Sequence, residues 1–203
     1  MRDKYIFIKR KFLSQRYCDN FISKLEKSAN SYDSDRGYYC LDGEFDSKVI
    51  EYHPLKNFLL NALDEYVQKH CFLGKEDNTP GLDTRFMIKR FLPGQYYGCK
   101  RGFVGYATEP RLAEHCEQGW SEYDSRRLLA WMVYLNDIKK DGGTCWPQQK
   151  FTSRPRAGDL YIWPAGWTHS HYGVPAPKEN KYFISGWCSL VKSSENFNNI
   201  PYI

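Results

Sequence analysis

Leu128-Leu129-Ala130-Trp131-Met132-Val133-Tyr134-Leu135-Asn136 is apolar at odd and even positions alike. A strand with one wet face alternates apolar and polar side chains, so a run apolar on both faces reads as a buried central strand. From Thr84 onward the chain changes to a period of two, and residues 85–92, 159–163 and 181–190 form further strand-length runs. Pro/Gly turns such as Pro93-Gly94 separate them. Ahead of them the period is helical. Cys18, Phe21, Ile22 and Leu25 recur at i, i+3, i+4 and i+7, which predicts an amphipathic helix starting near Ser14 or Gln15. Phe58, Leu59, Ala62, Leu63, Tyr66, Val67 and His70 predict a longer one after Pro54, with His70 as a core or helix-end histidine. Residues 28–49 read as loop with short strands, and 74–83 as a turn-rich connection. The pattern predicts an α+β fold, a double-stranded β-helix (jelly roll, cupin-like) buttressed by N-terminal helices. One domain is expected over residues 1–203, with a helical front at about 12–72 and a jelly-roll core at about 84–190.

Composition excludes several classes. Lys and Arg exceed Asp and Glu by only 5, and no basic stripe stands out, so nucleic acid is not an expected partner. No stretch approaches the roughly 20 apolar residues of a membrane span. Met1-Arg2-Asp3-Lys4 opens no secretory signal. Seven cysteines, an odd count without a C-x-x-C pair, suit thiols in a reducing cytoplasm, which also keeps iron ferrous. Aromatic residues make up 17%, in keeping with a dense, sheet-rich core.

The chemistry gathers at His115-Cys116-Glu117 and His171. Residues i and i+2 of a strand share a face, so His115 and Glu117 can grip one ion from one edge while His171 closes the third corner. Two imidazoles and a carboxylate match the facial triad of non-haem Fe(II), which leaves positions open for a cosubstrate and O₂. Cys116 should point to the other face. Lys181 starts the run Lys181-Tyr182-Phe183-Ile184-Ser185-Gly186-Trp187 and shares a face with Phe183, Ser185 and Trp187. An inward lysine beside Phe and Trp is costly unless an anion meets it. A dicarboxylate with its near end on iron and its far end on Lys181 satisfies both demands. Tyr134, inward with Leu128, Ala130 and Met132, is placed to give that far end a hydroxyl.

These residues resemble the prolyl-4-hydroxylase-like 2-oxoglutarate- and Fe(II)-dependent dioxygenases over about residues 85–190. Arg127-Leu128-Leu129-Ala130-Trp131-Met132-Val133-Tyr134-Leu135-Asn136-Asp137 is similar to the family's R-x-L-x-x-x-x-Y-L-N-D strand. Asp141-Gly142-Gly143-Thr144-Cys145-Trp146 is similar to its G-G-E-T-x-F turn, with Gly143 in place of Glu. The stretch from Arg154 to Pro164 resembles P-x-x-G-x-x-x-x-F-P, and Trp167-Thr168-His169-Ser170-His171 looks most like small phage and bacterial members. The resemblance places the last iron ligand at His171, the 2-oxoglutarate lysine at Lys181 and a tryptophan of the cosubstrate site at Trp187. It implies hydroxylation of an unactivated C–H bond with release of succinate and CO₂, using Fe(II), 2-oxoglutarate and O₂, with ascorbate in support. A peptidyl residue, proline first, is the implied substrate; a free amino acid or other small metabolite is the alternative.

The chain departs from the family in two places. The usual H-x-D is His115-Cys116-Glu117, one methylene longer, and the stretch before His115 is long. Residues 95–127 read as a loop near the active site carrying Lys100, Arg101, Tyr106 and Arg111. Tyr96, Tyr97 and Tyr106 compete to line the pocket. Arg127 is either a solvated charge before its strand or a substrate contact. His169 competes with His171, but lies 12 residues before Lys181 rather than 10. Trp146, Trp163 and Trp167 read as packing. A jelly roll that binds without catalysis, or a cupin of another chemistry, would not need His115, Glu117, His171 and Lys181 together.

Overall fold

A computed structural model describes residues 4–28, 32–33, 38–45, 52–70, 79–97, 109–119 and 121–191. Its strands are β1 (Phe7–Lys9), β2 (Tyr32–Asp33), β3 (Tyr38–Glu44), β4 (Thr79–Phe91), β5 (Arg127–Tyr134), β6 (Thr144–Trp146), β7 (Phe151–Thr152), β8 (Leu160–Pro164), β9 (Tyr172–Gly173) and β10 (Lys181–Val191). Its helices are α1 (Gln15–Lys27), α2 (His53–Lys69) and the one-turn α3 (Glu122–Ser125), with 3₁₀ turns at Pro110–Ala113 and Trp167–His169. Among the described residues no helix is long and apolar enough to cross a membrane.

Seven strands form one antiparallel sheet in the order β1-β8-β5-β10-β4-β3-β2, and β7-β6-β9 form a second, smaller sheet. This is the expected jelly roll. β5 lies between β8 and β10, and its apolar run is buried on both faces, one in each of two clusters. The outer face carries Ile88, Trp131, Val133, Ile162 and Ile184, packed against the helices. The inner face carries Ala130, Met132, Tyr134, Phe91 and Phe183.

The helices start where their sequence signals stand. Ser14 caps α1 by accepting from the Tyr17 N–H, and α1 turns Cys18, Phe21 and Leu25 inward. Pro54 lies in the first turn of α2, where its missing N–H costs nothing. α2 buries Leu55, Leu59, Ala62, Leu63 and Tyr66, and His70 caps its C-terminal end. β4 begins five residues before the expected change of period, at Thr79. The turn signals Pro80 and Gly81 are strand residues there, because β3 covers β4 only from Arg85 to Arg90. Pro80 therefore pairs only with β10, on a stretch of β4 that β3 does not cover, where a missing donor is tolerated. β1 had no readable period at three residues; it is tied down by the buried Asp159, whose Oδ1 accepts from the Lys11 N–H at 3.0 Å.

Two irregularities reshape the inner face. Along β5, the register slips between Cys188 and Ser189 of β10, so Leu128 joins the outer cluster beside Leu129. The expected inward Leu128 is therefore wrong, and the slip turns Arg127 inward instead. Along β4, two extra residues stand opposite Trp187, between the partners of Gly186 and Cys188.

Candidate metal centre and its cavity

His115 and Glu117 lie on an extended segment outside the named strands. An antiparallel bridge holds it to the fold: His115 N–H donates to the His171 carbonyl at 3.0 Å, and His171 N–H returns to the His115 carbonyl at 2.8 Å. The Glu117 N–H then reaches the Ala165 carbonyl, just past β8, at 2.9 Å. One nitrogen or oxygen from each of His115, Glu117 and His171 falls within 4.8 Å of the others, a span one ion can bridge.

The imidazoles are set for such a role. His115 Nδ1 lies 2.9 Å from the Ala113 carbonyl, and His171 Nδ1 lies 3.0 Å from that of His169. A carbonyl only accepts, so Nδ1 is a donor in each ring and Nε2 is the nitrogen left to face an ion. Burial, aided by the charge of His171, pushes the His115 pKa down and favours the neutral ring. Burial alone would push Glu117 up. The His171 ring, His115 and the Trp187 N–H outweigh it and hold the carboxylate well below its usual range. Glu117 Oε1 stands 3.3 Å from His171 Nε2, and Oε2 accepts from Trp187 Nε1 at 2.7 Å. His169 is not in the cluster. Its Nε2 faces the Lys4 carbonyl at 3.0 Å and its Nδ1 the Thr168 hydroxyl at 3.0 Å. Cys116 donates its thiol to the Gln118 carbonyl.

The cluster opens into a cavity of about 1080 Å³, and Lys181 lines it too. Lys181 is 6% exposed, and its Nζ donates to the Gly143 carbonyl at 3.2 Å. Burial, reinforced by the nearby Lys89, pushes its pKa down to about 7. Gly143 occupies the family's Glu position for a steric reason: a Cβ there would meet the Ser153 carbonyl oxygen at 2.0 Å. A buried ammonium beside aromatic rings fits a carboxylate, and the donor set at His115, Glu117 and His171 fits a hard-to-borderline cation such as Fe(II).

Other expected contacts are rearranged. Tyr134 is fully buried and does not line the cavity; its hydroxyl is engaged by Ser153 Oγ at 2.7 Å and Thr144 Oγ1 at 3.1 Å. Thr144 lines the cavity in its place. Trp187 lines it as well, but its indole N–H is given to Glu117. Arg127 lines the cavity too, and it stacks on Trp187 with its guanidinium carbon 3.8 Å from the ring centroid rather than standing as a solvated charge. Tyr96 and Tyr97 both line the cavity, and the Tyr97 ring centroid is 4.8 Å from that of His115. Tyr106, with Lys100 and Arg101, lies outside the described residues, and Arg111 is exposed on the Pro110–Ala113 turn. Trp146 and Trp163 pack around His171, at 5.9 and 5.1 Å between centroids, while Trp167 is 73% exposed.

The reading of residues alone passed over Thr144, Tyr123 and Lys89, all on the cavity wall. The alternation that singled out Lys181 also puts Lys89 inward, since its register partner on β10 is Phe183. Thr144 sits in the turn motif, and its proximity to Tyr134 crosses between sheets and leaves no local signal.

A jelly roll holding two histidines and a carboxylate at one cavity wall has the architecture of the mononuclear non-haem iron oxygenases. Residues 102–189 match the 2OG-Fe(II) oxygenase superfamily, and the fold is similar to that of solved prolyl 4-hydroxylases. That family uses Fe(II), 2-oxoglutarate and O₂. Among solved structures, the chain is similar to a viral collagen prolyl hydroxylase of Paramecium bursaria Chlorella virus-1, with TM-score 0.65, 20% identity, and 93% and 97% of the two chains covered. It is similar to a Pseudomonas putida prolyl-4-hydroxylase, at TM-score 0.62, 16% identity and 92% and 93% coverage. A Trichoplax adhaerens prolyl hydroxylase, solved with a hypoxia inducible factor peptide, aligns at TM-score 0.59, 15% identity and 91% and 83% coverage. No curated protein sequence matches the chain.

Proposed function

We propose that the whole chain is one dioxygenase domain that hydroxylates a peptidyl residue, proline first, and that His115, Glu117 and His171 hold its iron. The observation that carries this is the placing of the three-residue cluster and the buried Lys181 on one cavity. Bound together there, Fe(II) and 2-oxoglutarate would supply O₂ activation and C–H oxidation, with succinate and CO₂ as by-products.

The residues of the chain supply binding and shielding. His115 and His171 offer Nε2 lone pairs, and Glu117 stays anionic. Lys181 meets the far carboxylate of the cosubstrate as an ammonium, because an anion at Nζ reverses the downward push of burial. The Thr144 hydroxyl joins it, oriented by Tyr134, so Tyr134 acts one step removed from its expected place. Phe91, Met132, Trp163 and Phe183 wall this end against water. The cavity continues past Tyr97 and Tyr123, and rims of tyrosine suit an extended peptide. The collagen prolyl hydroxylase and the peptide-bound Trichoplax enzyme make peptide the first class to try.

The test is an anaerobic titration with Fe(II) and 2-oxoglutarate, watched for the weak visible metal-to-ligand absorption. Succinate release is then measured with ascorbate over a panel of proline-containing peptides and free amino acids. Absorption followed by peptide hydroxylation is expected. Turnover of free amino acids alone would move the substrate to the small-molecule class, and a wild-type protein without the absorption would overturn the site.

A further inference from the structure

Glu117 is one methylene longer than the aspartate of the family-type H-x-D motif, and a longer carboxylate has one more torsion to fix. The structure surrounds this residue with two side chains that do so. Trp187 Nε1 donates to Oε2 at 2.7 Å, which leaves Oε1 as the oxygen beside His171. Arg127 Nη1 donates to the Glu117 carbonyl at 2.9 Å, while its guanidinium lies 3.8 Å over the Trp187 ring. The same guanidinium is balanced by Asp124, with Nη2 to Oδ1 at 2.8 Å. Its remaining nitrogen, Nε, is buried and presents nothing to the cavity.

We infer that Arg127 and Trp187 are positioning residues that clamp residue 117 at its main chain and its carboxylate, and so allow a glutamate to serve in the metal centre. The inference rests on the reading of His115, Glu117 and His171 as ligands. Arg127 reaches this place through the register slip of β5 opposite Ser189, because strict alternation would put it on the outer face with Leu129 and Trp131. The stack is specific to a planar cation: a guanidinium covers an indole and donates sideways to the Glu117 carbonyl at once, which an ammonium cannot do. Groups that orient a metal ligand from outside commonly govern affinity as strongly as some ligands do.

The experiment is anaerobic Co(II) titration of the full chain, followed by the visible bands of Co(II), which report coordination number and geometry. Trp187→Phe keeps the ring and the stack but removes the N–H, so Co(II) affinity should fall about tenfold or more with a changed spectrum. Arg127→Met and Arg127→Lys should both weaken binding, Lys being no rescue. The decisive comparison places Trp187→Phe in a Glu117→Asp background. A carboxylate one methylene shorter does not reach the indole N–H, so the loss seen with glutamate should largely disappear. Circular dichroism and melting confirm that each protein titrated is folded; should Arg127→Met not fold, the tryptophan pair still decides. Equal loss from Trp187→Phe in both backgrounds, or wild-type affinity and spectrum in Trp187→Phe, overturns the clamp while leaving the metal site standing. A wild-type chain that binds no Co(II) overturns the site reading itself, and the clamp with it.

Discussion

The two faces of the large sheet are made by alternate residues of the same strands, yet they face opposite demands. On β10, Ile184 is fully buried against the helices, while its neighbours Phe183 and Ser185 line the cavity. On β4, Ile88 is fully buried and apolar, while Met87 and Lys89 turn to the cavity. The outer face is filled by matched hydrocarbon, and its burial drives folding. The inner face keeps Lys181 and His171 almost out of water. Such groups are expensive to bury and persist where they meet ligands. Stability and chemistry are thus separated by a single step along each strand.

The largest test of that separation is Glu117→Ala. It should remove measurable Fe(II) or Co(II) binding and all substrate-coupled turnover, with the melting temperature close to that of the parent. Parent-rate turnover of 2-oxoglutarate by this variant would break the assignment. Lys181→Ala comes next, raising the 2-oxoglutarate KM by about tenfold or more, given ~2–5 kcal/mol for truncating one member of a buried charge pair. Lys181→Arg should fall between the two, since a planar fork does not sit where an ammonium did. Equal KM values for all three proteins would remove Lys181 from the cosubstrate site.

The outer face should answer in the other currency. Ile184→Ala should cost about 2–5 kcal/mol of unfolding free energy, read from denaturant midpoints, through the cavity it leaves. Metal affinity of the folded variant should be unchanged. A large loss of affinity would show that the faces are coupled after all.

The smallest effect is a pH slope. Lys181 titrates near 7 in the free protein against an ordinary 10.5, so above about pH 7 the free site has shed the proton that an anion requires. Binding 2-oxoglutarate then takes up a proton, and its affinity should fall about tenfold per pH unit between those two values. The same linkage makes the empty protein gain stability as pH rises through this window, because the unfolded chain holds more protons there. Lys181→Met should lack both slopes. Calorimetry in two buffers of different ionisation enthalpy measures the proton directly; equal heats would remove the titration from this lysine.

Much of this was legible in residue order because it depends on local repetition. Helix α1 announced itself by its stripe and its Ser14 cap, and β5 by apolarity on both faces. His115 and Glu117 share a side because extended backbone repeats every two residues, and Lys181 stood out as a charge in the inward phase of an aromatic strand. None of these readings needed a partner from elsewhere in the chain.

What alternation could not supply, the tertiary structure decided. His115 and His171 meet through one backbone bridge, a pairing with no period behind it. Tyr134 points inward as expected, but Ser153 and Thr144 arrive from β6 and the stretch after β7 to take its hydroxyl, so Thr144 holds the cavity wall. Pro80 lies in a strand because the neighbouring strand stops short of it. Arg127 faces Trp187 because one register slip reverses the phase of every residue before it. Residue order therefore determined which side chains are the candidates for the chemistry, since that follows from periods within one strand. Their mutual contacts came from register, bulges and strand ends, which are set between strands by packing that no single segment contains.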